Sequence, residues 1–86
     1  MASIEEVRSG IAQASQKASE SLGALQQAHS QLEDAQRSLA QHTQGSAQGD
    51  VDEVNAQLAQ AVNSIAETQQ LVQTAISSAE SISQRL

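Results

Sequence analysis

Eighty-six residues make at most one domain, and the complete absence of Phe, Trp, Tyr, Pro and Cys removes an aromatic core, disulfides, thiolate catalysis and cysteine-ligated zinc together. The net charge is -6, and the only cations, Arg8, Lys17, Arg37 and Arg85, do not cluster, which argues against nucleic acid and against anionic lipid as partners. Burial falls to Ala, Leu, Ile and Val, residues that suit narrow seams between helices, and without proline long helices meet few breakers.

Helix 1 is expected over about 4–43. Ser3-Ile4-Glu5-Glu6 reads as a capping box, in which the Ser3 hydroxyl accepts from the Glu6 amide and the Glu6 carboxylate reaches back. From Ile4 onward, apolar or small residues recur with alternating spacings of three and four. One row is Ile4, Ile11, Ala18, Leu25, Leu32 and Leu39; the other is Val7, Ala14, Ser21, Ala28, Ala35 and His42. A turn over about 44–49 follows, rich in glycine and small polar residues, with Gly45 placed to take the left-handed conformation that ends a helix. Helix 2 is expected over about 51–85, with Asp50 as its N-cap, Asp52 and Glu53 favoured by the helix dipole, and Arg85 near the C-terminal end. The same repeat runs through Val51, Val54, Leu58, Ala61, Ile65, Thr68, Val72, Ala75, Ala79, Ile82 and Leu86.

These features predict an all-α fold, an antiparallel two-helix coiled-coil hairpin that dimerises into a four-helix bundle. With His42 opposite Val51, facing residues have numbers summing to 93, so Ala35 meets Leu58, Leu32 meets Ala61 and Ala28 meets Ile65. Large against small fills the half nearest the turn and fixes its register. The far half, with Ala18 against Ala75 and Ala14 against Ala79, is expected to be softer. Ser21 and Thr68 are expected to bond carbonyls one turn back.

A lone hairpin of this size buries a small fraction of its surface, so further association is expected. Leu22 on helix 1 and Val62, Leu71 and Ile76 on helix 2 flank the repeat and are the expected interaction surface, toward a second copy or another helical protein. No catalytic, cofactor or metal site can be assembled. His29 and Glu33 stand one turn apart but read as a solvated pair, as do Glu33 and Arg37, and His42 reads as a cap on the core beside the turn. Asp50, Asp52 and Glu53 lack the spacing of a calcium loop. The expected role is therefore that of a non-enzymatic interaction or adaptor module.

The hairpin, its length and the glycine-containing turn resemble the small helical-hairpin proteins of type VII secretion, the Trp-x-Gly family common in actinobacteria. The turn of this chain carries Thr43-Gln44-Gly45 where that family has Trp-x-Gly, and no tyrosine stands for its C-terminal export signal. The Ala/Gln/Ser-rich heptads and the Gln-Gly-Ser turn at 44–46 also resemble small actinobacterial helical proteins, a likeness that implies no activity. The first resemblance implies homo- or heterodimeric bundles acting as secreted partners. The location expected from the residues themselves is cytoplasmic, and the alternative is a leaderless substrate or partner of a type VII-like secretion system.

Overall fold

The computed structural model describes residues 3–43 and 49–86; the Gly45 helix stop and the rest of the expected turn lie outside them. Two α-helices, α1 (Ile4–His42) and α2 (Gly49–Arg85), pack along each other as an all-α hairpin 64 Å long and 18 × 15 Å across. Among the described residues there is no strand.

The N-terminus of α1 forms as its sequence requires. Ser3 is extended, its hydroxyl accepts from the Glu6 amide at 3.1 Å, and its carbonyl accepts from the Val7 amide at 3.0 Å. At the other end Thr43 donates both its amide, at 3.0 Å, and its hydroxyl to the Leu39 carbonyl. α2 begins at Gly49, two residues before the expected Val51, so Asp50 lies within the first turn rather than capping it. There it still meets unbonded amides and the positive end of the helix dipole. Ser21 and Thr68 do bond back, to the carbonyls of Ala18 at 2.6 Å and Ser64 at 2.8 Å.

The facing rows differ from the expected ones in one respect. The first row of each helix is as expected: Ile11, Ala18, Leu25, Leu32 and Leu39 on α1, and Val51, Leu58, Ile65, Val72 and Ala79 on α2, are all half-buried. The second row falls four residues after the first, not three. It comprises Ser15, Leu22, His29, Gln36 and Thr43 on α1, and Asn55, Val62, Gln69, Ile76 and Ser83 on α2. The expected second rows are exposed except for half-buried Ala28 and Ala61, and His42 turns back to hold the Ser38 carbonyl at 2.7 Å.

The reason is where the bulky residues sit. Each helix has turned by a fraction of a residue, exchanging a row whose bulky residues, Val7, Val54 and Ile82, lie toward its ends for one that carries Leu22, Val62 and Ile76 nearer its middle. Apolar burial stabilises by roughly 25 cal/mol per Å², and a bulky side chain in the middle of the seam is covered over more of its surface than one at an end. The polar residues brought along, His29, Gln36, Asn55 and Gln69, are long or polar-tipped and lie half-buried with their ends free to reach water.

Taken in order from the turn, the observed rows pair so that residue numbers sum to 94, one more than expected. The hydrogen bond from the Gln69 side-chain amide to Gln26 Oε1, 3.1 Å, ties the helices at that level. Ile76 then lies level with Ala18, whose small side chain leaves room for it, and Leu22 lies level with Val72. The Ala18/Ala75 weakness expected in the far half is thereby repaired. Ile76 is the one buried side chain of the described residues, 5% exposed.

Two outcomes follow in urea unfolding followed by helical circular dichroism. Ile76→Ala should lower stability by about 2 kcal/mol, since it empties the best-filled layer. A loss within the error of the measurement would contradict the burial. Ser15→Ala should raise stability by about 1 kcal/mol, because the Ser15 hydroxyl oxygen is buried without a hydrogen-bond partner among the described residues. A decrease would mean that the hydroxyl is satisfied.

Candidate interaction surface

The four residues expected to form a partner surface separate into two groups. Leu22, Val62 and Ile76 belong to the second facing row and are spent on closing the hairpin, which corrects the expectation that they flank it. Leu71 alone is free, at 71% exposure. The same rotation that draws in the three bulky residues pushes others out. Val54 and Ile82, expected in the seam, are 44% exposed each.

The open end of the hairpin adds a second set. With facing numbers summing to 94, Leu86 stands level with Arg8, so the first turn of α1 extends past the end of α2. Ile4 and Val7 on that overhang, and Leu86 at the terminus of the other helix, are consequently exposed. Ile4 continues the first facing row of α1 with no helix opposite, whereas Val7 lies to one side of the rows. Sequence periodicity identifies these residues as apolar but does not show that they are uncovered, because that depends on the helix rotation and on the stagger of the ends.

His29 Nδ1 stands 3.2 Å from Glu33 Oε1, a local pair one turn apart with Glu33 half-exposed, and no third group converges on it. Arg37 pairs with Asp34 rather than with the expected Glu33. Among the described residues, no three His, Cys, Asp or Glu come together as a metal site, and no helix is long and apolar enough to cross a membrane. An open groove runs along α2, lined by Gln73, Thr74, Ser77, Ser78, Ser81, Ile82 and Arg85. Neutral hydroxyls and amides with no base beside them supply no activated nucleophile.

No family model matches this chain, and neither a curated protein nor a solved structure matches it.

Proposed function

We propose that this chain is a non-enzymatic interaction module: a helical hairpin that offers an apolar face to a helical partner. The observation that carries the reading is the disproportion between what the hairpin covers and what it leaves open. Among the described residues one side chain is buried, while Ile4, Val7, Val54, Leu71, Ile82 and Leu86 remain exposed. Single exposed apolar residues are ordinary, but six large ones in a chain with so few large apolar residues are the signature of a surface that is covered in use. The spacing of Leu71, Val54 and Ile82 along α2 suits knobs that insert between the side chains of a facing helix.

The accessible surface of 6338 Å² points the same way. A compact protein of 9.0 kDa exposes about 4,900 Å² by the usual scaling with mass. The surplus of roughly 1,500 Å² exceeds the 800 Å² or so that one partner contributes to an interface of standard size.

The test is chemical crosslinking in the cells that make the protein, comparing the natural chain with Leu71→Asp. Leu71 is exposed, so the hairpin tolerates the change, and the variant should keep its helicity while losing its crosslinked adducts. A natural chain that forms no adduct, or an adduct indifferent to Leu71→Asp, would overturn the reading.

A further inference from the structure

Successive residues of an α-helix lie 100° apart. If the two facing rows of each helix are taken as its front, the positions three residues after the first row lie to one side of the front, and those one residue after lie to the other. The helices run in opposite directions, so the same offset on α1 and α2 falls on the same broad side of the hairpin. One side thus carries Val7, Ala14, Ser21, Ala28, Ala35 and His42 of α1 with Val54, Ala61, Thr68, Ala75 and Ile82 of α2, and exposed Leu71 lies at its margin.

The charges are sorted against this side. Of the ten acidic residues, Glu5, Glu33, Asp52 and Glu80 stand one residue after the first row, and Glu6, Glu20, Asp34, Glu53 and Glu67 stand two after it, on the opposite side and the back. Only Asp50 is on the apolar side, at its margin, where Lys17 and Arg85 also lie. A hairpin that met only water would have no reason to keep nine of its ten acids off one side.

The α2 part of this side also reads the same in both directions. Val54, Ala61, Thr68, Ala75 and Ile82 are evenly spaced about Thr68: β-branched, alanine, threonine, alanine, β-branched. An antiparallel copy of α2 laid on it sets Val54 against Ile82 of the second copy, Ala61 against its Ala75, and Thr68 against its own counterpart. At the margin Asp50 falls close to Arg85 of the second copy, the one standing eighteen and the other seventeen residues from Thr68. The Thr68 hydroxyl is already bonded to the Ser64 carbonyl, so the residue can present its methyl group there without leaving a polar atom unsatisfied.

We infer that this acid-poor side binds a second copy of this chain, related by a two-fold axis passing near Thr68, with α2 antiparallel to α2 and the turn of each hairpin at the open end of the other. The inference rests on the proposed interaction role and names its partner and geometry. Small residues at the centre let the helices approach closely, large ones close both ends, and the acids of both copies face outward. A parallel arrangement would set α2 against α1 of the second copy and bring Asp50 near no cation of that margin.

The chain has no cysteine, so introduced thiols report without interference. Sedimentation equilibrium should give twice the 9.0 kDa chain mass at tens of micromolar, and Thr68→Arg should weaken association roughly a hundredfold, the effect of an unpaired charge at a buried centre, with helicity retained. Thr68→Cys should form a covalent dimer on mild oxidation. A spin label on Val54→Cys should report a separation of about 40 Å between copies, since Val54 is fourteen residues from Thr68 at 1.5 Å each. A single-chain mass overturns the inference, as does a dimer indifferent to Thr68→Arg or a short Val54 separation. A chain that is monomeric alone yet forms adducts with another protein that depend on Leu71 would sink this inference and leave the interaction role standing.

Discussion

The structure depends on a shortage of bulky apolar side chains. With no aromatic residue, and with alanine filling most of the small places, the hairpin closes by bringing most of its large aliphatic groups onto one stripe and leaves Val54, Leu71 and Ile82 outside it. Leu22, Val62 and Ile76 decide the rotation of both helices, and the cost is a facing row that also carries His29, Gln36, Asn55 and Gln69. Polar groups at the edge of a narrow seam keep contact with water, so this cost is modest, whereas Leu or Ile left outside loses its whole transfer free energy. The exposed side with its alanines, Thr68 and Ser21 is the residue of that choice. A second molecule and the first helix pair are thus complementary claims on one limited supply of apolar surface.

Much of the fold can be read from the residues alone. Ser3 with Glu6, the absence of proline, the glycine-rich turn and the unbroken three-and-four spacing define two long helices and their order, and each of these acts locally, within a turn or two of backbone. Rotation about the helix axis is a different kind of quantity. A spacing of three followed by four and a spacing of four followed by three share one row and differ in the other, and here each alternative row mixes bulky apolar residues with small or polar ones. The balance between Ala14, Ser21 and Ala35 on one side and Leu22 with polar neighbours on the other is settled by packing against a second helix, which no local rule contains.

The candidate surface was legible to the same degree. Leu71 stands out because it interrupts a polar stretch, and its exposure follows directly. Val62 and Ile76 stand four residues after the first row and Leu71 one before it, so the three flank the repeat on different sides, and the rotation decides which flank is covered. The α1 overhang, which leaves Ile4 uncovered, follows from the register that sets Leu86 level with Arg8, and that stagger is visible only once the register is known.

The constant sum of facing residue numbers also governs how the chain reaches this state. Thr43 and Val51 are eight residues apart along the chain, whereas Ile11 and Ser83 are seventy-two apart, and every layer between is one step further than the layer before it. Each new layer therefore closes only a small additional loop once its inner neighbour has formed, so the entropy of closure is met in increments rather than in one large term. Assembly that begins beside the turn and advances outward needs no long-range search, a topology associated with fast folding. The same ladder run backwards makes the open end, with its overhanging first turn, the place where the helices part first and most often.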